Sequence, residues 1–277
     1  MIVTDNFVML NFPKTGSTFT RKAIDKVFEH DKSLMRFLVR MGLIAKPYKE
    51  LWLPNIYNNT VDNSSQHGCY RLIPEEDKNK TVATIIRNPY GRYVSSYLYE
   101  WWKSHPPVEE SKIKIDYPTF PDLSFEQYYE MIHKYSRDGY YNNGDRNINE
   151  HKHYFGIYTL LFIQFYSKKP DALINELDND SIDIEKFKSE FSDIVFLKQE
   201  NLNNELKSFL IKMGYDEEKV NRIDSMEKVN VSNDKKNSLK NFITDEILEQ
   251  INEREKLFFE MFPEYKVESV DELVKFD

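Results

Sequence analysis

The chain is poor in cysteine, in net basic charge and in long apolar runs. Its single cysteine, Cys69, among 277 residues excludes an internal disulfide and fits a reducing compartment. Lys and Arg number 38 against 46 Asp and Glu, a formal net charge of -8. That balance argues against a protein that coats nucleic acid. No apolar stretch has the length of a signal peptide or a membrane span. We therefore expect a soluble, cytoplasmic protein with neither nucleic acid nor a membrane as partner.

What the chain does contain is enough apolar material for a buried core, with 40% hydrophobic and 14% aromatic residues. Short, β-branched or aromatic runs predict buried strands, and longer patterns between them predict helices. The strands are expected at residues 6–12, 81–87 and 193–200, with a weaker fourth at 67–73. The helices are expected at residues 17–29, 90–103, 124–135, 153–166, 203–213 and 245–262. This alternation predicts an α/β fold with a central parallel sheet flanked by helices.

The organisation predicted for the chain is a single domain over residues 1–277. No internal repeat is visible. Residues 103–122 carry four prolines and many charges, which predicts a surface loop or lid within that domain.

The stretch "FPKTGSTF", residues 12–19, joins the first predicted strand to the first predicted helix. Backbone N–H groups at a helix start converge on one point, and the helix dipole adds partial positive charge there. Lys14 supplies a full charge, and the hydroxyls of Ser17 and Thr18 can donate hydrogen bonds to phosphate oxygens. A Walker-type loop would need its lysine after a second glycine, whereas Lys14 precedes Gly16. The stretch therefore predicts an anion site of another kind, with a capped turn and a solvated lysine as the alternative.

A second candidate anion site follows the second predicted strand, in "IIRNPYGRYVSSY". Arg87 ends the strand, Asn88 can cap the next helix, and Pro89 suits its first position. Ligands of open parallel sheets gather beyond the carboxyl ends of the strands, so Arg87 and Lys14 should face one crevice. Ser95 lies nearly two helical turns beyond Arg87 and is expected to share its anion.

Together, "PKTGSTF" and "RNPYGRYVSSY" resemble the paired signatures of sulfotransferases that use 3'-phosphoadenosine 5'-phosphosulfate (PAPS). The resemblance implies a P-loop NTPase-like sulfotransferase fold. It implies that Arg87 and Ser95 bind the 3'-phosphate, and that the first loop binds the 5'-phosphosulfate through Lys14, Thr15, Gly16, Ser17 and Thr18. The fixed positions of the second signature are met by Arg87, Asn88, Pro89, Arg92, Ser95 and Tyr97.

The resemblance covers roughly the first hundred residues and is thin in the middle of the chain, where the family usually recognises its acceptor. It extends faintly to "FLKQENL" and to residues 228–236. It implies transfer of the sulfuryl group from PAPS to an acceptor hydroxyl, with adenosine 3',5'-bisphosphate as product and no metal. A saccharide or polysaccharide is the expected class of acceptor.

Such a transfer needs a placed acceptor, a base for its proton and stabilisation of charge on the departing phosphate. The resemblance places Lys14 beside the bridging oxygen. It also points to His67 as the base, because several branches of the family carry a histidine between the two signatures and an imidazole titrates in the useful range. Glu50, and the pair His151 and His153, are the reserve candidates.

Two other functions remain open at this point. One is a catalytically idle PAPS- or nucleotide-binding protein of the same fold. The other is a small-molecule kinase, which would require magnesium and ATP, although the chain offers neither a Walker-type lysine nor a clear magnesium aspartate. Trp52 could stack on the adenine of a nucleotide or pack in the core.

Overall fold

The computed structural model describes residues 1–54, 64–140, 155–177, 183–226 and 238–277. Its strands are β1 (Ile2–Val3), β2 (Phe7–Leu10), β3 (Lys49–Glu50), β4 (Leu53–Pro54), β5 (Ser64–Ser65), β6 (Thr81–Ile86) and β7 (Ile194–Lys198). Its α-helices are α1 (Ser17–Val27), α2 (Ser33–Arg40), α3 (Pro89–Tyr99), α4 (Trp101–Ser104), α5 (Glu110–Asp116), α6 (Phe125–Tyr140), α7 (Ile157–Tyr166), α8 (Pro170–Leu177), α9 (Ile184–Ser189), α10 (Leu202–Lys212), α11 (Glu217–Val220), α12 (Asp245–Arg254) and α13 (Lys256–Met261).

The main sheet has five strands in the order β3-β1-β2-β6-β7, and β4 pairs with β5 in a separate two-stranded ribbon. The strands β2, β6 and β7 run parallel, whereas β1 is antiparallel to both β2 and β3. The α/β class is confirmed, but the expectation of a parallel sheet is correct only for the centre. The antiparallel edge was missed because two-residue strands are too short to show a period in the sequence.

Helices cover both faces of the parallel strands, and alternate strand residues enter separate cores. On one face, Phe7 and Met9 join a cluster with residues of α1 and α10. On the other, Val8 and Leu10 join a larger cluster with residues of α3, α6, α7 and α13. Since both faces are occupied, the polar residues that follow the strands are left at the carboxyl edge of the sheet.

The weak prediction of a strand over residues 67–73 is wrong. Residues Tyr70–Leu72 form a 3₁₀ turn, in which Leu72 N donates to Cys69 O and Ile73 N to Tyr70 O. Pro74 comes next and has no N–H to donate to a sheet, so the segment turns instead of extending.

The segment predicted as a surface loop or lid, residues 103–122, is mostly exposed but contains a helix. Helix α5 occupies its middle, and Ile113, Tyr117 and Phe120 are buried in the larger core cluster. The four prolines lie outside the helix, at positions 106, 107, 118 and 121, where they do not interrupt it.

The predicted helix over residues 245–262 is divided between α12 and α13 at Glu255. This buried carboxylate accepts hydrogen bonds from Thr159 N at 2.7 Å and Thr159 Oγ1 at 2.6 Å, and from Tyr158 N at 3.2 Å. It therefore caps the start of α7 across the core, and this contact fixes the helix that bears Tyr158. Within the described ranges, no helix combines the length and apolar character needed to cross a bilayer.

Candidate anion-binding site

The turn between β2 and α1 has the backbone of an anion-binding loop. Lys14 and Gly16 both have left-handed φ angles, 66° and 97°. A Cβ on Gly16 would lie 2.8 Å from Leu202 Cδ2, so both the φ angle and the packing favour glycine. Ser17 begins α1, and among the described residues no side chain caps this helix start. Its N–H groups are therefore available to an anion.

The remaining residues of the loop differ in their exposure. Thr15 is buried, and its hydroxyl donates to Phe12 O at 3.0 Å, so this side chain stabilises the turn. Ser17 is also buried, whereas Thr18 is exposed. We therefore expect the backbone of Thr15 and the hydroxyl of Ser17 to contribute more to anion binding than the Thr15 hydroxyl.

A second loop is held rigidly where β6 meets α3. The Tyr158 hydroxyl donates a hydrogen bond to Arg87 O at 2.8 Å and accepts one from Arg87 N at 3.3 Å. Asn88 Oδ1 accepts from Gly91 N at 2.6 Å, which is the predicted helix cap. Glu200 Oε1 accepts from both Asn88 N (2.9 Å) and Asn88 Nδ2 (2.7 Å). These contacts fix the backbone from which the Arg87 side chain extends.

The two loops meet because β2 and β6 are neighbouring parallel strands, with Leu10 opposite Thr84. Lys14 and Arg87 thus follow the carboxyl ends of adjacent strands. Burial, together with the charges of Arg87 and Arg92, lowers the pKa of Lys14 from the usual 10.5 to about 8. Clustered cations of this kind favour a multivalent anion.

The charge and the hydrogen-bond donors of Arg87 are only partly matched by other groups of the protein. Burial lowers its pKa, while the carboxylate of Glu200 acts in the opposite direction. Its Nε is buried, and no described residue accepts a hydrogen bond from it. A ligand oxygen would satisfy this donor, as buried polar groups require.

Tyr99 connects the two loops. Its spacing from Ser95 predicts a shared helix face, but nothing in the sequence pattern pointed to its contact with Lys14. The Lys14 ammonium lies 3.6 Å from the centroid of the Tyr99 ring, a cation–π contact. Tyr99 is exposed at the end of α3 and follows the half-buried Ser95 by four residues, so the two side chains share a helix face. Helix α3, which Asn88 caps directly after Arg87, therefore carries both Ser95 and the contact to Lys14.

Two further positions of the second signature have packing roles. Arg92 is buried with its guanidinium over the rings of Phe12 and Tyr158, at 5.3 Å and 4.5 Å from their centroids. The Tyr97 hydroxyl donates to Leu123 O at 2.9 Å. These residues hold α3 against the loops and need not touch a ligand.

His67 lies next to the first loop, because its Nδ1 is 2.8 Å from Asn11 O. A carbonyl oxygen can only accept, so Nδ1 carries the hydrogen and Nε2 keeps its lone pair. Burial lowers the pKa of His67 below the usual 6.5, and the charge of Arg21 acts in the same direction. The imidazole is therefore neutral at pH 7, the state that a general base requires.

The reserve candidates for the base differ from His67 in their surroundings. Glu50 is ion-paired with Arg21, whose guanidinium also donates to Gln66 Oε1. His151 and His153 lie outside the described residues, as does the stretch 228–236. Trp52 is 59% exposed, which excludes the expectation that it packs in the core.

The residues that hold the site were not signalled by local sequence patterns. Glu200 and Tyr158 meet Arg87 and Asn88 only through the tertiary structure, and the faint match of "FLKQENL" was the sole hint to Glu200.

Among the described residues, no group of three or more His, Cys, Asp or Glu side chains is placed to hold a metal ion. No protein-family model, curated protein or solved structure matches the chain.

Proposed function

We propose that the chain is a PAPS-dependent sulfotransferase with a P-loop NTPase-like sulfotransferase fold. The observation that carries this proposal is that two candidate anion-binding loops follow the carboxyl ends of adjacent parallel strands. One is the uncapped, left-handed turn of Lys14 and Gly16, and the other is the braced Arg87. PAPS has two phosphate groups at opposite ends of its ribose, and two separate sites suit such a donor.

In the proposed reaction, an oxygen of the acceptor hydroxyl attacks the sulfur of PAPS. The new oxygen–sulfur bond forms as the bond from sulfur to the bridging oxygen of the 5'-phosphate breaks. The acceptor proton passes to Nε2 of His67, and the electron pair stays on the bridging oxygen. Lys14 and the start of α1 stabilise the charge that develops there. The products are a sulfate ester and adenosine 3',5'-bisphosphate.

The donor assignment is tested by calorimetric titration with adenosine 3',5'-bisphosphate, magnesium-ATP and AMP. The proposal predicts that adenosine 3',5'-bisphosphate binds most tightly and that its affinity is unchanged by EDTA. A preference for magnesium-ATP would instead support the small-molecule kinase and overturn the proposal.

Turnover separates the enzyme from an idle binder of the same fold. Incubation of the protein with PAPS and a mixture of hydroxyl acceptors should release adenosine 3',5'-bisphosphate. Chromatography measures this release. Lys14→Ala should slow this release about a hundredfold, because a well-placed charge on a leaving group typically has an effect of that size. Lys22→Ala, which removes an exposed lysine from α1, the helix that follows the Lys14 loop, is the matched control. Binding without release would support the idle binder.

A further inference from the structure

A short arm of chain approaches His67 from the side of the antiparallel edge. Strand β3 ends at Glu50, and β4 pairs with β5 so that Leu53 lies opposite Ser65. Continuing this register by one residue places Trp52 opposite Gln66, the neighbour of His67. In that register the arm sets an exposed tryptophan beside the residue that precedes the proposed base.

The side chains of this arm divide between two sides. Leu51 and Leu53 pack against the larger core cluster. Alternation along an extended chain places Glu50 and Trp52 on the other side. There Glu50 meets Arg21 of α1, and Trp52 remains 59% exposed. A flat apolar ring and a charged pair therefore share one side of the arm.

The charged pair is partly exposed. The side chains of Arg21 and Glu50 are 31% and 27% exposed. Arg21 follows Ser17 by four residues, so it lies on the helix face that continues from the Lys14 loop. Its Nε is buried, and no described residue accepts a hydrogen bond from it; Asn11 Oδ1 is likewise without a described donor. Both atoms belong to residues next to His67, since Asn11 O lies 2.8 Å from His67 Nδ1 and the charge of Arg21 acts on the imidazole.

We propose that Trp52, Glu50 and Arg21 form the acceptor subsite and that it binds a pyranose ring. This inference rests on the proposed function, since it takes His67 as the base that receives the acceptor proton. A pyranose presents an apolar face of C–H groups, which suits the Trp52 ring, and a rim of hydroxyls. Those hydroxyls can donate to the Glu50 carboxylate and accept from the Arg21 guanidinium. A simple phenol would cover the ring and leave the charged pair without a partner.

The test begins with a printed panel of oligosaccharides that spans neutral, amino and uronate-containing pyranoses, probed with the full chain saturated with adenosine 3',5'-bisphosphate. The strongest binder is then titrated in solution by calorimetry, whose signal does not depend on Trp52. We expect Trp52→Ala to weaken its affinity about tenfold, the equivalent of one lost aromatic contact, and Trp52→Phe to retain most of it. Glu50→Gln should weaken it as well. Leu34→Ala, which truncates another exposed apolar side chain, is the control and should have no effect.

Three results would overturn the subsite. The first is a panel on which no oligosaccharide binds the wild type above the level of Trp52→Ala. The second is a simple phenol, 4-nitrophenol, sulfated more efficiently than any saccharide. The third is a weaker affinity of Trp52→Ala for adenosine 3',5'-bisphosphate, which would place Trp52 against the adenine. If adenosine 3',5'-bisphosphate binds the wild type while all saccharides fail, only the acceptor subsite falls; if the nucleotide fails too, the proposed function falls with it.

Discussion

The lowered pKa of Lys14 links nucleotide binding to pH. Burial and the charges of Arg87 and Arg92 bring this pKa from the usual 10.5 to about 8. Only the protonated ammonium attracts the 5'-phosphate, so the dissociation constant should scale with one plus the ratio of neutral to protonated Lys14. That factor is about 1.1 at pH 7 and about 11 at pH 9, which predicts a roughly tenfold loss of affinity for adenosine 3',5'-bisphosphate. The phosphates of the ligand do not contribute, because their second ionisation lies near pH 6.

The protonation of Lys14 on binding can be measured separately, as proton uptake. A bound anion raises the pKa of Lys14 again, so binding at pH 8 should take up as much as about half a proton. Calorimetry in buffers of different ionisation enthalpy measures the number of protons taken up.

The same pKa also affects folding stability. In the absence of ligand, the unfolded chain holds its Lys14 proton up to about pH 10.5, so this group makes the free energy of unfolding rise with pH from about pH 8.

Two variants show whether Lys14 is responsible. Lys14→Arg should bind with an affinity that does not change between pH 7 and pH 9, because a guanidinium remains protonated throughout. Lys22→Ala should keep the wild-type slope. A flat profile in the wild type, or an unchanged slope in Lys14→Arg, would refute the reasoning.

Three further predictions follow from the loops and the base. Gly16→Ala should lower the free energy of unfolding by about 1–3 kcal/mol in urea denaturation, because φ is 97° and the new methyl group would meet Leu202; unchanged stability would contradict this. Glu200→Ala should lower it by about 1–3 kcal/mol, since the two Asn88 donors lose their acceptor; an intact midpoint would show that water replaces the carboxylate at little cost. His67→Ala should reduce turnover at saturating acceptor by about 10²–10⁴-fold without changing nucleotide affinity. On the acid side, wild-type turnover should stay constant down to pH 6.5 and fall below it, as the imidazole gains its proton; intact turnover in the variant would exclude His67 as the base.

The centre of the fold was predictable because its signals are local. The strands β2, β6 and β7 are apolar on both faces, and α1, α3 and α10 follow them with helical periodicity. The antiparallel strands β1 and β3 were not predictable, since they have two residues each and depend on pairing, β1 with β2 and β3 with β1. Helix α5 was missed because the prolines on either side of it dominated the composition of its segment.

The candidate site divides in the same way. The loop residues Lys14, Gly16 and Arg87 carry short motifs that can be recognised in the sequence, and the structure brings Lys14 and Arg87 close together. The residues that support them could not be found by spacing. Glu200 is 112 positions from Asn88, and Tyr158 is 71 from Arg87, so only the packed fold shows that they meet. Tyr99 is an intermediate case: its helix face shared with Ser95 follows from a spacing of four residues, whereas its contact with Lys14 depends on the left-handed turn.

The most direct test of the donor site is the ratio of affinities for adenosine 3',5'-bisphosphate and AMP, measured by calorimetry for the wild type and for Arg87→Ala. Arg40→Ala, which removes an exposed arginine from α2, is the control. The account predicts that the wild type and Arg40→Ala prefer adenosine 3',5'-bisphosphate. It predicts that Arg87→Ala loses about tenfold to a hundredfold of that preference, the effect of one charged hydrogen bond to a phosphate, while its affinity for AMP stays the same. An equal preference in the wild type and Arg87→Ala would contradict the assignment of Arg87 to the 3'-phosphate and, with it, the proposed donor.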